Sequence, residues 1–149
     1  AVVDSDRKGP ADSESEEARR LRKTCEHHGL PCWVLAKREA ENYLPRVLLG
    51  ARRDVGAEHA SKVDAWDKLS DDQKDFFDMK HGLPEALSQT ERDLFDELPD
   101  SDREILAEGF GPNLHECWTL WHARNVRSEL RTRGRGDLEH GIELIRQEL

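Results

Sequence analysis

The chain has 149 residues, of which 36% are hydrophobic and 37% are charged, and its formal net charge is −9. This length suits one domain with one core, and the four Trp and four Phe residues exclude a chain that is disordered throughout. The net negative charge excludes bulk attraction to nucleic acid or to an acidic membrane surface, so any contact with nucleic acid has to come from local basic patches or metal ions.

Cysteine count and hydropathy set the expected compartment. Three cysteines, an odd number, argue against a disulfide framework and favour a reducing compartment, so we expect a cytoplasmic location. No apolar run approaches the roughly 20 residues that a membrane span needs, and no signal peptide is visible, so no membrane partner is expected. The chain begins directly on an apolar strand, which predicts a further segment upstream or on another chain.

The first 36 residues have a strand–helix–strand pattern. Ala1–Val3 is a short apolar strand, and Ser13 with Glu16 forms a capping-box pattern that opens a helix over about residues 13–28. Cys32–Ala36 is apolar on both faces, which is typical of a buried parallel strand. A connection of this kind predicts two parallel strands in one sheet, joined by a right-handed crossover.

After residue 36 the apolar residues follow helical spacing, and no further strand is predicted. Ser70 with Gln73 and Ser88 with Glu91 are capping-box patterns, and Pro45 restarts or kinks the first helical stretch. The expected helical segments fall within residues 39–43, 57–69, 70–77, 88–98, 101–108, 112–125 and 137–149. The fold class is therefore α/β at the start of the chain and mostly helical overall.

Three carboxylates follow the ends of the two predicted strands. Asp4 and Asp6 come directly after the first strand, and Glu41 lies a few residues past the second. Because parallel strands end at the same edge of a sheet, these side chains are expected to meet there. Carboxylate oxygens suit Mg²⁺ or Mn²⁺, which activate water and stabilise the leaving oxygen in phosphodiester cleavage. An alternative stays open, because Asp-Ser-Asp at a strand end is often only a turn or a helix cap.

Two segments carry a resemblance to a known family. Ala1-Val-Val-Asp-Ser-Asp6 and Lys37-Arg-Glu-Ala-Glu-Asn-Tyr-Leu44, separated by a helix and a strand, resemble Toprim domains of the overcoming-lysogenization-defect class. In those domains a strand ends in Asp-x-Asp, and the next strand leads into an Arg-x-x-Glu-Asn-Tyr-Leu-like sequence. The match spans about the first 45 residues. It implies that residues 1–50 are the C-terminal part of a Toprim domain, a Rossmann-like parallel sheet edge, and that residues 51–149 are a helical extension packed on it.

The resemblance also implies residue roles. Asp4, Asp6 and Glu41 would be catalytic carboxylates that bind Mg²⁺ or Mn²⁺. Arg38 would orient Glu41 or touch phosphate, and Lys80 matches the lysine that the family carries after this motif to stabilise charge at the scissile phosphate. The implied activity is that of a metal-dependent endonuclease acting on DNA, within an anti-phage defence protein that includes an ATPase domain or partner chain. A Toprim site also uses a glutamate from an earlier strand, so the N-terminal Toprim half is an implied partner.

Two further clusters have both a functional and a structural interpretation. A basic run near the C-terminus, with Arg124, Arg127 and Arg131, can contact a phosphate backbone or form the solvated face of a long helix. Cys25 and Cys32 lie near two histidines, which are zinc-ligand types, but their apolar positions favour buried thiols.

Two other functions stay open. A haloacid-dehalogenase-like phosphatase also has a strand ending in Asp-x-Asp, with the first Asp as nucleophile, but Lys8 stands where that family favours Thr or Val. The second alternative is that the chain is a non-catalytic Toprim remnant or a helical interaction module. Its helical extension would then serve homo-oligomerisation or docking to an ATPase.

Overall fold

The structure, a computed structural model, describes residues 1–51 and 56–114 and the single positions 117, 137, 140, 141 and 143. This part of the chain is mostly helical and contains one two-stranded parallel sheet. In chain order, its elements are β1 (Val2–Val3), α1 (Glu16–His27), β2 (Trp33–Val34), a 3₁₀ helix (Ala40–Tyr43), α2 (Arg46–Leu49), α3 (Ala57–Asp67), α4 (Asp71–Phe76), α5 (Gln89–Phe95) and α6 (Asp100–Leu106). Among the helices described, none has the length and apolar character that crossing a membrane requires.

The predicted pairing of the two strands is confirmed. β1 and β2 are parallel, with Val2 opposite Trp33 and Val3 opposite Val34, and α1 connects them. β2 is shorter than the predicted segment, and both of its residues are only half-buried. The expectation of a strand buried on both faces is therefore wrong, because β1 is its only sheet neighbour within the described residues.

Helix α1 begins two residues later than the capping pattern at Ser13 predicts. Its N-cap is Ser15, whose Oγ accepts the Ala18 N–H at 3.1 Å. Tertiary contacts decide this start, because the Ser15 N–H also donates to the Ser5 carbonyl at 2.9 Å. The C-terminal end follows the prediction, since Gly29 has φ +65° just beyond the helix, a conformation that favours glycine.

The predicted starts of α4 and α5 are confirmed. Ser70 and Gln73 form a reciprocal capping box, with the Ser70 N–H donating to Gln73 Oε1 at 2.9 Å. Ser88 and Glu91 do the same, with the Ser88 N–H donating to Glu91 Oε2 at 2.9 Å. Pro45 restarts the chain after the 3₁₀ helix, because it is the N-cap of α2.

The core lies beneath the 3₁₀ helix and between α3 and α6. Tyr43, Trp66, Phe77 and Phe95 are among its fully buried side chains. One face of α3 packs into this core, since His59, Val63 and Trp66 are all buried. Leu114 and Cys117 are buried as well, whereas Trp118 and Trp121, in the same expected helical segment, lie outside the described residues.

A backbone crossing holds the segment after α4 in place. The carbonyls of Met79 and Lys80 accept N–H groups of Phe110 at 2.8 Å and Gly111 at 3.0 Å. Gly82 has φ +82°, and a Cβ there would lie 2.3 Å from the backbone nitrogen of Gly109. Only glycine fits this approach, and the approach fixes the position of Lys80.

Candidate metal centre

The end of β1 is joined to the segment after β2 by two side chains. The Ser5 hydroxyl, fully buried, donates to the Lys37 carbonyl at 2.6 Å. Asp4 Oδ1 accepts the Ala40 N–H, the first of the 3₁₀ helix, at 2.8 Å. These contacts place the Asp4 carboxylate directly beside the start of the 3₁₀ helix.

Two glutamates at the start of the 3₁₀ helix form a carboxylate cluster together with Asp4. Glu39 is the extended residue before the 3₁₀ helix, its Oε1 accepts the Met79 N–H at 2.7 Å, and Glu41 lies within the helix. Both are buried. Oxygen atoms of Asp4, Glu39 and Glu41 all lie within 4.8 Å of one another. Across the residues the structure describes, no other set of three carboxylate, imidazole or thiol groups is close enough to share a metal ion.

One lysine contacts this cluster. Lys80 Nζ lies 2.9 Å from Glu39 Oε2 and 3.3 Å from Glu41 Oε2. The structure thus places the lysine that the sequence singled out beside Glu41, and its ammonium group is the local counter-cation of the two glutamates. Among the described residues, one positive charge faces three carboxyl groups, which leaves the cluster underneutralised within this part of the chain.

The pKa values reflect this imbalance. Burial raises the pKa of Asp4 above its ordinary value, with the neighbouring carboxylates adding to the shift, and it likewise raises the pKa of Glu39. Burial alone would lower the pKa of Lys80, but the contacts with Glu39 and Glu41 outweigh it and raise that pKa. Lys80 therefore stays charged, while Asp4 and Glu39 resist ionisation more than exposed carboxyl groups do.

Asp6 lies away from this cluster. It is exposed and adopts φ +53°, and its N–H donates to the Arg38 carbonyl at 2.8 Å. Its Oδ2 accepts the Ser15 hydroxyl at 3.2 Å, which ties Asp6 to the start of α1. The structure therefore brings together two of the three predicted metal ligands, Asp4 and Glu41, and places Glu39 where Asp6 was expected. Asp6 is neither in a turn nor a helix cap, because the N-cap of α1 is Ser15, to whose hydroxyl Asp6 is hydrogen-bonded.

Arg38 is held by acidic side chains from other elements. Its guanidinium lies 2.8 Å from Asp78 and 3.5 Å from Glu91, and the side chain is largely buried. It thus ties the segment after β2 to α5 and to the loop after α4, and its partners are neither Glu39 nor Glu41. The other predicted phosphate contacts, Arg124, Arg127 and Arg131, lie outside the described residues.

The remaining residues of the second motif are packing residues. Asn42 is fully buried and donates through Nδ2 to the Lys74 and Phe77 carbonyls at 2.8 and 2.9 Å. The Tyr43 hydroxyl donates a short hydrogen bond to Asp137 Oδ2. These contacts fix the 3₁₀ helix and, with it, the direction of Glu41.

Asp137 is a site-supporting residue that sequence reasoning did not find. Besides Tyr43, it accepts the Trp33 indole N–H at 2.8 Å and the Ala36 N–H at 3.0 Å. One carboxylate thus ties the C-terminal part of the chain to β2 and to the 3₁₀ helix. No local pattern marks it, because its partners lie about a hundred residues earlier.

Glu39 was also missed, because Glu-x-x-Asn is not the Ser/Thr-x-x-Glu/Gln pattern that marks a capping box in a sequence. In the structure Glu39 and Asn42 nevertheless form a reciprocal cap at the start of the 3₁₀ helix, in which the Glu39 N–H donates to Asn42 Oδ1 at 2.9 Å. That arrangement puts Glu39 and Glu41 at the same helix start.

Comparison with known proteins finds no match: no family model, no curated protein and no solved structure is significantly similar to this chain. The geometry of the carboxylate cluster is therefore the feature of this chain that bears on its function.

Proposed function

We propose that Asp4, Glu39 and Glu41 bind Mg²⁺ or Mn²⁺ and that the chain is part of a metal-dependent nuclease that hydrolyses phosphodiester bonds in DNA. The observation that carries this proposal is the approach of three carboxylates within 4.8 Å at the end of β1 and the start of the 3₁₀ helix. Magnesium and manganese prefer oxygen ligands of this kind.

The donor set fits such an ion. All three groups are carboxylates, and the Lys80 ammonium already lies against two of them as a cation does. A divalent ion neutralises the cluster more completely than one lysine. Once bound, it supplies a Lewis acid that activates water and stabilises the leaving oxygen.

The side chains of this chain would then act as follows. Asp4 and Glu39 give up any proton when they bind the ion, because a metal ligand has to be deprotonated. With Glu39 and Glu41 holding the ion, the Lys80 ammonium would be available to pair with a phosphate oxygen of the substrate. The backbone crossing at Gly82 keeps that ammonium at the edge of the cluster.

Partners follow from the resemblance of the two motifs to Toprim domains. On that basis we extend the proposal to an ATPase domain or partner chain, to the N-terminal Toprim half, and to a role in defence against phage. Arg124, Arg127 and Arg131 are the proposed contacts to the DNA backbone, since Arg38 is engaged by Asp78 and Glu91.

The experiment is a cleavage assay on supercoiled plasmid with Mn²⁺, carried out on the protein joined to its proposed N-terminal Toprim half and first shown to cleave, and it compares the natural sequence with Glu41→Gln and Asp6→Asn. Glu41→Gln removes a metal ligand, so we expect cleavage to fall by about a hundredfold or more. Asp6→Asn is the matched control, because Asp6 lies outside the cluster, and it should cleave like the natural chain. Equal cleavage by the natural chain and Glu41→Gln would contradict the proposal.

A second candidate, a purely structural ion cluster in a non-catalytic module, is favoured by one observation. Lys80 already pairs with both glutamates and joins the 3₁₀ helix to the segment after α4. Lys80→Met separates the two candidates, because it leaves the carboxylates without a counter-cation and lowers stability in either case. If the cluster binds metal, Mn²⁺ restores the stability of Lys80→Met. If the cluster is only structural, Mn²⁺ has no effect.

A further inference from the structure

Helix α1 carries three basic side chains on its solvent side. Ala18 is the buried residue of this helix, and Arg19, Arg20 and Lys23 follow it as exposed residues. With 3.6 residues per turn, these three side chains lie within about one third of the helix circumference, on the side away from Ala18. We call this strip, made of Arg19, Arg20 and Lys23, the basic face of α1.

The basic face has no acidic partner among the described residues. Its three cations form no ion pair, and the glutamates of α1 itself lie outside ion-pair distance, whereas Arg22 on the same helix pairs with Glu14 at 3.0 Å. Elsewhere in the described part of the chain, Arg92 is the one Lys or Arg side chain without an ion pair or hydrogen bond. Unpaired positive charge is therefore concentrated on this helix, in a chain whose net charge is −9.

The basic face begins close to the carboxylate cluster. The N-cap of α1, Ser15, is tied to the end of β1, because its N–H donates to the Ser5 carbonyl at 2.9 Å and its hydroxyl donates to Asp6 Oδ2 at 3.2 Å. Asp4 of the cluster directly precedes Ser5. With a rise of about 1.5 Å per residue, the basic face starts about 6 Å along the helix from Ser15 and ends about 12 Å from it.

We propose that the basic face of α1 binds the phosphate backbone of duplex DNA and so holds the part of the substrate that flanks the carboxylate cluster. The choice of DNA rests on the proposed function. Exposed Arg and Lys side chains contact phosphates, and the counterions that they release drive binding. One DNA strand presents a phosphate about every 3.4 Å along the duplex axis, so three cations spread over about 6 Å match two or three phosphates.

An acidic membrane surface presents the same charge as DNA but needs a different helix. A helix that lies on a membrane buries an apolar face between flanking cations. Leu21 is the one exposed large apolar side chain of α1, and a single side chain does not make such a face. The composition of the exposed surface of α1 therefore favours nucleic acid.

The test measures binding of the chain to a short, fluorescein-labelled DNA duplex by fluorescence anisotropy, in EDTA and over a series of salt concentrations. The α1 variant carries Arg19→Gln, Arg20→Gln and Lys23→Gln, which remove three charges and keep a residue type that favours helix. We expect the affinity of this variant for the duplex to fall about tenfold or more. The slope of log K against log salt concentration should become less steep by about 2 to 3, which is close to one per lost phosphate contact.

A control variant carries Arg46→Gln, Lys68→Gln and Arg92→Gln, which remove the same charge from exposed positions on other elements. It should bind the duplex within about twofold of the natural chain, because only the charge on α1 contacts phosphate. Glu41→Gln should also bind the duplex unchanged, since no metal is present in EDTA. Circular dichroism of each variant checks that its helix content equals that of the natural chain.

The proposal is overturned if the natural chain does not bind the duplex, or if the α1 variant loses no more affinity than the control variant. It is also overturned if the natural chain binds vesicles of phosphatidylcholine and phosphatidylserine more tightly than the duplex. Failure of the proposed function gives a different result. Duplex binding through α1 by a chain that binds no Mn²⁺ would contradict the metal-dependent nuclease and leave the DNA contact of α1 in place.

Discussion

At the scale of single residues, the cluster combines charges that oppose folding with a cation that offsets them. Asp4 and Glu39 have raised pKa values because burial disfavours their ionised forms. Lys80 lies against Glu39 and Glu41 and reduces the repulsion. Burying charges of this kind lowers the stability of the fold. Sites of this kind are often functional, because a buried ion pair adds little net stability that would explain its presence.

Asp4→Asn tests this cost. The asparagine Oδ1 can still accept the Ala40 N–H, while the negative charge is removed. Because the folded-state pKa of Asp4 lies above its unfolded value, its stabilising contribution is complete at low pH and is lost as pH rises through the folded pKa. At neutral pH we therefore expect Asp4→Asn to unfold at the same or a higher temperature than the natural chain, in thermal denaturation without metal. A loss of more than about 1 kcal/mol would contradict this account.

Gly82 is a second single-residue test. Gly82→Ala places a Cβ 2.3 Å from backbone at a positive φ, so it strains the crossing that holds Lys80. We expect a loss of about 2 kcal/mol or more in urea denaturation. Gly29→Ala is the matched control, because Gly29 also has a positive φ, but a Cβ there meets no atom of the described residues within 4 Å. Its expected loss is about 1 kcal/mol, and equal losses at both positions would refute the role of the crossing.

The sequence predicts some site residues and misses others for identifiable reasons. Asp4 and Glu41 were predicted because they follow the ends of the two predicted strands, whereas Lys80 was named only because the resemblance to Toprim domains implies a lysine after the second motif. Asp6 lies elsewhere because its backbone turns at φ +53° toward Ser15, and a sequence pattern does not specify that turn.

At the scale of elements, helix starts were predictable where the cap is local. The Ser70 and Ser88 capping boxes involve only residues of their own helices, and both starts are as predicted. The start of α1 differs because Ser15 contacts Ser5 and Asp6, which precede the helix by nine residues or more. β2 is shorter than its apolar run because strand length depends on pairing as well as composition.

The stability that Glu91 contributes at the start of α5 depends on pH. Burial alone would raise its pKa, but hydrogen bonds from Ser88 and the charges of Lys8 and Arg38 outweigh this effect and lower it. A lowered folded-state pKa gives stability that is present above the unfolded pKa and is lost as pH falls through the folded pKa. We expect Glu91→Gln to cost about 1–2 kcal/mol at neutral pH.

That cost should shrink below about pH 4.5, where the unfolded glutamate begins to take up protons. The measurement is urea denaturation of both chains at neutral and acidic pH. A difference in unfolding free energy between the two chains that stays the same at neutral and acidic pH would contradict a lowered pKa of Glu91 in the folded state.

At the scale of the whole molecule, Asp137 connects parts of the chain that are far apart in sequence. Its carboxylate accepts from Trp33, Ala36 and Tyr43, and Gly141 packs so closely on Trp33 that a Cβ would lie 2.5 Å from the indole ring. Contacts over such separations depend on the completed fold, which is why residue patterns did not predict them.

Asp137→Ala removes the shared acceptor of these three donors. We expect a loss of about 2–3 kcal/mol in the free energy of unfolding, because a charged acceptor is lost and partly buried donors are left unpaired. Asp93→Ala is the matched control, since exposed Asp93 has no hydrogen-bond partner among the described residues other than the neighbouring Gln89 and should change stability by less than about 0.5 kcal/mol. Similar small losses in both variants would contradict the role of Asp137.

The most direct measurement is a calorimetric titration of the folded chain with Mn²⁺, repeated with Glu39→Gln and with Asp6→Asn. Glu39 separates the structural site from the sequence-predicted one, because the cluster contains Glu39 and excludes Asp6. We predict that the natural chain and Asp6→Asn bind Mn²⁺ with similar affinity and that Glu39→Gln loses binding. Binding that depends on Asp6 and survives Glu39→Gln, or no binding by the natural chain, would contradict the account.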